Sequence, residues 1–230
     1  VKQQVGLTRQ ALKTPRTAAI AGIIFAVFFT TSLVLMRLAI PEDLSGTNTA
    51  AWLQGNTATV SLALTLVPFA GIAFLWFMGV VRDRLGTLED QFFSTVFFGS
   101  GLLFLAMIFA SAAIAGSIVA SYAIAGDTLV KSGVIIFGRA AMYTVTNVYA
   151  IRMAAVFMIA LGTIWIRTRV MPRLFVFLTY ALSLLLLVSS NLTVWLILVF
   201  PAWVLVISIF ILVVSLHGEQ AKAEGHGWLQ

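Results

Sequence analysis

The chain has 230 residues, 61% of them hydrophobic and only 10% charged, with a mean hydropathy of +1.05. Soluble domains average about 45–50% apolar and about 25% charged, so this composition excludes a water-soluble globular protein and leaves a membrane one. The net charge of +6 lies in short clusters between apolar runs, which argues for membrane lipids and against nucleic acid as the partner.

Residues 1–16, VKQQVGLTRQALKTPR, form a basic N-terminal segment. The apolar run that follows, Thr17 to Ile40, is too long for the core of a secretory signal, and no small-x-small cleavage site follows it. It reads as the first of six spans, since a membrane helix needs roughly 20 mostly apolar residues. Span 1 covers 17–39 and is stopped by Pro41, Glu42 and Asp43. Span 2 covers 58–81, span 3 covers 91–122, span 4 covers 138–166, span 5 covers 174–190 and span 6 covers 193–215. Residues 123–137 are open between a loop, a short interfacial helix and an extension of span 4. The expectation is an all-α polytopic membrane helix bundle forming one domain, 17–215, with a polar tail at 216–230.

Lysines and arginines set the orientation. Lys2, Arg9, Lys13, Arg16, Arg82, Arg84, Arg167, Arg169, Arg173 and Lys222 fall on one side; Arg37, Lys131 and Arg139 fall on the other. Both termini are therefore expected in the cytoplasm. Trp76 and Trp165 near one side and Trp195 near the other suit interfacial aromatics.

In span 2, Pro68 with Gly71 one turn later predicts a kinked or unwound helix, and Pro201 predicts the same in span 6. Transporters often bind substrate at broken helices in matching positions of two repeated halves. A three-plus-three division pairs span 2 with span 5, which has no break, so no such repeat is visible.

The loop VVRDRLGTLEDQFF carries Arg82, Asp83, Arg84, Glu89 and Asp90. Thr87 with Asp90 three residues later reads as a capping box opening span 3, and Asp83 can pair with either neighbouring arginine. A docking or gating role for this loop stands beside that structural reading. The segment RDRLGTLED followed by FFSTVFFGSGLLFLA resembles one found in uncharacterised bacterial multi-pass inner-membrane proteins, and this resemblance implies a bacterial inner membrane but no activity.

Span 3 carries two rows of small residues at four-residue spacing, Ala112, Gly116 and Ala120, then Ala113, Ser117 and Ser121. Such rows let helix backbones approach closely, either within the chain or against another subunit.

Span 4 holds Arg152 at its midpoint, in the stretch TNVYAIRMAAVF. An intramembrane charge is costly, and every acid of the chain lies in a loop, at a span end or in the tail. Partners left to it are carbonyls freed at Pro68 or Pro201, hydroxyls such as Tyr149 or Thr65, a lipid phosphate, or a permeating anion. Tyr149 lies about 60° from Arg152 around the helix, while Arg139, Tyr143, Thr146 and Asn147 form a second stripe within about 100°. Two readings of Arg152 stay open: an anion-attracting pore or ligand site, or a helix-locking or snorkelling arginine.

Several chemistries need residues this chain lacks. No span has a histidine for haem, an acid for a proton relay, or a nucleophile–base pair. Cysteine is absent, and His217 and His226 with Glu219 and Glu224 in the tail have no standard metal spacing, so neither metal nor cofactor is expected. The sequence thus favours a non-enzymatic channel- or transporter-like protein, a homo-oligomer or a partner of other membrane subunits. Its ligand or pore residues would be Arg152, Tyr149, Asn147, Tyr143, Arg139 and Pro68. The alternative is an accessory subunit of a larger membrane complex.

Overall fold

A computed structural model describes residues 14–39, 48–85, 91–126, 128–129, 132–169, 171–188 and 194–226, with side chains described except at 14–15, 48–54, 83–85, 91, 194 and 217–226. Among the described residues these α-helices follow in order: α1 (Thr14–Ala39), α2 (Asn48–Leu85), α3 (Gln91–Ala125), α4 (Val134–Thr144), α5 (Ile151–Thr168), α6 (Arg173–Val188) and α7 (Val199–His226). A π-helical turn, Val145–Ala150, joins α4 to α5 without interruption, and a 3-10 turn, Val194–Leu198, leads into α7. No strand occurs among the described residues, so the all-α reading holds.

Among the described residues, five helical runs are long and apolar enough to cross a membrane: Arg16–Ala39, Gly55–Arg82, Phe92–Ala125, Val134–Thr168 and Trp195–Leu216. The sixth, α6, is apolar but only 16 residues long. Hydropathy located these runs yet misplaced some ends. Helix α2 begins at Asn48 rather than near 58, because its first turns, NTAAWLQGNT, are helical without being apolar. The undecided segment 123–137 divides: α3 runs on to Ala125 and α4 starts at Val134, with turn residues Gly126, Ser132 and Gly133 among those between them. Gly126 (φ 50°) and Gly133 (φ 75°) supply the left-handed turns that helix ends need, and Gly126 N–H donates to the Tyr122 carbonyl at 2.9 Å.

Neither proline breaks its helix. Helix α2 is continuous through Pro68. Pro201 lies in the first turn of α7, where its missing N–H removes no bond the helix would otherwise make. The predicted unwinding is therefore corrected in both places.

Neighbouring helices α1 and α2, α2 and α3, α3 and α5, and α5 and α6 pack side by side, and α7 returns along α1. Phe74 of α2 is the hub of the core. Its ring centroid lies 4.7 Å from Phe25 of α1, 5.5 Å from Phe104 of α3, 5.3 Å from Phe157 of α5 and 5.7 Å from Phe200 of α7. All five rings are buried. Lipid supplies no hydrophobic drive between helices, so cohesion rests on this dense aromatic packing and on interhelical hydrogen bonds. Helix α6 stands outside the hub. It is tied on by Tyr180 to Thr163 (2.8 Å) and by Trp203 Nε1 donating to Thr179 Oγ1 (2.9 Å).

Helix direction alternates along this order, so Arg16, Arg82, Arg167, Arg169 and Arg173 gather at one end of the bundle, here the basic end. Arg37 and Arg139 lie at the far end.

Candidate functional site

The site begins with the backbone of VTNVYA. Val145, Thr146 and Val148 are β-branched and Asn147 competes with the helix through its side chain, so this is the weakest helix-forming stretch of the run. Here the ladder slips by one residue. Ile151 N–H bonds to the Thr146 carbonyl, where a regular α-helix would take Asn147. Neighbouring polar groups brace the slip. Thr146 Oγ1 donates to Ser111 Oγ of α3 at 2.7 Å, and Ser111 Oγ donates in turn to the Met142 carbonyl at 3.1 Å.

Arg152 belongs to this brace. Its Nη1 donates to the Val148 carbonyl at 2.7 Å, one turn back along its own chain. That carbonyl belongs to the π turn, a source outside the proline-freed carbonyls expected from the sequence. Arg152 lies one residue from the centre of the Val134–Thr168 run, as in the expected span. The Val134–Thr168 run has 35 residues, about 52 Å at ~1.5 Å per residue, far longer than the roughly 30 Å hydrocarbon core. Counted along the helix from Thr168, Arg152 lies about 24 Å up.

The cleft lies at the far end, with a volume of about 80 Å³. Helix α1 lines it with Phe29, Ser32, Leu33, Met36 and Arg37, positions 0, 3, 4, 7 and 8 of one helical face. Leu64 and Val67 of α2, Ile108, Ser111 and Ala112 of α3, and Trp195, Ile197 and Leu198 of the 3-10 turn complete the walls with Met142, Tyr143, Thr146 and Asn147. Most of this surface is apolar, and the polar groups collect where α1 meets α4.

Arg37 Nη1 donates to the Tyr143 hydroxyl at 2.9 Å, and its Cζ lies 4.8 Å from the Tyr143 ring centroid. Arg139 Cζ approaches the same ring at 5.4 Å. Two guanidinium groups thus converge on one tyrosine. A phenol that accepts from a guanidinium still has its own O–H to give, and that O–H is polarised toward an acidic acceptor.

The sequence candidates divide accordingly. Tyr143 and Asn147 line the cleft, and Arg139 joins them through the Tyr143 ring. Arg152 is not part of the lining, and Tyr149 is 55% exposed on the outside of the helix. Pro68 is exposed as well, while its neighbour Val67 faces the cleft. Arg37 was weighed only for topology; the apolar face of α1 ending in that arginine is the signal that points to it. Of the small residues on α3, Ala112 and Gly116 are half-buried, and a Cβ on Gly116 would stand 3.6 Å from Leu64. Ala113, Ser117 and Ala120 are exposed, and Ser121 is half-buried. In the basic loop, Arg82 rests on the Phe98 ring at 5.0 Å. The side chains of Asp83, Arg84, Glu89 and Asp90, and with them the proposed capping box, lie outside the described residues.

Comparison with family models, with curated proteins and with solved structures found no match.

Proposed function

We propose that this polytopic membrane protein is transporter-like and acts on an acidic ligand with an apolar tail, seated in the far-end cleft. Arg37 replaces Arg152 as the recognising cation. The observation that carries the reading is the Arg37 guanidinium held on Tyr143 at the wall of a mostly apolar cleft. Apolar walls with a few convergent polar groups are the usual make-up of a small-molecule site. Asn147 and the Tyr143 hydroxyl would supply further hydrogen bonds to a carboxylate or phosphate head. Phe29, Val67 and Ile108 would receive the tail. We assign binding and movement of this ligand to the protein, and no catalytic step.

The test is photolabelling of the purified protein in neutral detergent with a diazirine-bearing long-chain carboxylate, followed by peptide mapping. Labels are expected on α1 and α4, with competition by the unlabelled acid and not by the corresponding alcohol. Equal competition by acid and alcohol would remove the cation from recognition. Flux of the same acid into proteoliposomes then separates a carrier from a passive binder.

A second reading, an accessory subunit of a membrane complex, is favoured by one observation. Ala106, Ala110, Ala113, Ser117 and Ala120 are all exposed on α3, at alternating steps of four and three residues. That spacing is the seam of a close helix pair, and small residues on it favour backbone approach.

A further inference from the structure

Several polar side chains of the cleft wall have already committed their hydrogens. Ser32 Oγ donates to the Ala63 carbonyl at 2.8 Å, Thr146 Oγ1 to Ser111 Oγ, and Ser111 Oγ to the Met142 carbonyl. Asn147 is different. It is half-buried in the same wall, and its carboxamide makes no hydrogen bond among the described residues. A carboxamide carries two donors and an acceptor, and leaving them unmet in a mostly apolar cleft is costly.

The wall is also graded by depth. Helix α4 enters from the far end, so Asn147 lies one turn, about 6 Å, deeper than Tyr143. Long side chains on a helix lean toward its N-terminus. For Tyr143 that direction is outward, and its hydroxyl there accepts from Arg37. On α1, Phe29 precedes Arg37 by eight positions and lies about 12 Å deeper. From the far end inward, the wall therefore runs from a phenol O–H, past an unpaired carboxamide, to apolar side chains.

We propose that the ligand's acid group and apolar tail are joined through an amide, as in an N-acyl amino acid, and that Asn147 recognises this amide. The assignment rests on the cleft being an acidic-ligand site, and gives Asn147 the amide rather than the acid group. The two amides are complementary: Asn147 Nδ2–H donates to the ligand carbonyl, and Asn147 Oδ1 accepts from the ligand N–H. Three bonds, under about 4 Å, separate the carboxylate carbon of an N-acyl amino acid from its amide carbon. Hydrogen bonds at either end extend that span to the one-turn gap between Tyr143 and Asn147. A plain fatty acid would carry methylenes past Asn147 and leave it unmet. A site built to pair a polar group discriminates against the analogue that lacks the partner.

Competition photolabelling of the full chain in neutral detergent tests this, with the diazirine-bearing long-chain carboxylate as label. The competitors have one overall length: a fatty acid, the corresponding alcohol and an N-acylglycine. With wild-type protein, the N-acylglycine is expected to compete about tenfold better than the fatty acid. Asn147→Leu keeps the side-chain volume and is expected to bring the N-acylglycine down to the fatty acid, with both still ahead of the alcohol. Equal competition by N-acylglycine and fatty acid on wild type, both ahead of the alcohol, overturns the amide and leaves an acid site. Equal competition by all three overturns acid recognition and the amide with it. An N-acylglycine preference that survives in Asn147→Leu overturns the assignment to Asn147. A thermal melt of the variant separates lost recognition from unfolding, and the wild-type series decides the amide without it.

Discussion

Arg37 and Tyr143 lie 106 positions apart in the chain, yet the Arg37 guanidinium donates a 2.9 Å hydrogen bond to the Tyr143 hydroxyl. The bond joins the end of α1 to α4 and lies on the wall of the cleft. It therefore links a tertiary contact to ligand recognition, and the two roles can be separated by substitution.

Arg37→Gln removes the cation and its bond to Tyr143. Binding of a long-chain carboxylate should weaken about tenfold, near 1.4 kcal/mol. Tyr143→Phe keeps the ring under both guanidinium groups and deletes only the hydroxyl, so its effect should be smaller, about threefold. The pair should be non-additive in a double-mutant cycle, because each substitution removes the same bond. Competition photolabelling reads all three variants, and strict additivity would show that the two residues act apart.

Arg152→Gln should behave differently. Its bond is to the Val148 carbonyl of the π turn, so the loss falls on stability, about 1–3 kcal/mol for a charged hydrogen bond. A lowered thermal midpoint in detergent with ligand affinity intact is the expected result. If Arg152→Gln instead removed binding and left the melting curve unchanged, Arg152 would belong in the ligand path.

These contrasts mark what the sequence could and could not disclose. The apolar runs are distinct enough that α1, α3 and α6 were legible within a few residues, since burial in lipid writes its requirement into every position. The π turn was not legible. It is a one-residue slip, chosen by local propensity and by a hydroxyl on another helix, and it leaves the apolar pattern nearly intact. The start of α2 was not legible for a related reason: hydropathy reports where apolar residues stop, not where helices do. Tyr143 and Asn147 could be named because polar residues on an apolar helix are conspicuous. Arg37 was hidden by its position at a span end, where any arginine is explained by topology.

A close approach between α1 and α7 gives a third prediction. A Cβ on Gly22 would collide with Ser208 Oγ and stand 3.0 Å from Phe77. Ser208 Oγ is buried without a hydrogen-bond partner among the described residues. Gly22→Ala should cost about 1–3 kcal/mol through overpacking. Ser208→Ala should be neutral or stabilising, because it removes a buried hydroxyl that makes no bond. Ser208→Gly should restore most of the stability lost in Gly22→Ala. Thermal unfolding of the single and double variants checks this, and a failed rescue would place the strain elsewhere.

The two small-residue rows of α3 separate the inner helix contact from an outer one. Gly116 faces Leu64 of α2, so Gly116→Leu inserts bulk into the chain's own packing and should lower stability whatever the protein associates with. Ala113 is exposed with Ser117 and Ala120, so Ala113→Leu meets nothing within the chain and should leave the melting curve unchanged. Any loss of association in Ala113→Leu therefore reports a second polypeptide on that face. The measurement is the mass of the complex extracted gently from its native membrane, compared among wild type and both variants. A smaller complex in Ala113→Leu, with its thermal midpoint intact, supports the accessory reading. An unchanged complex removes it, because close helix pairing along a small-residue seam does not tolerate a leucine at its centre.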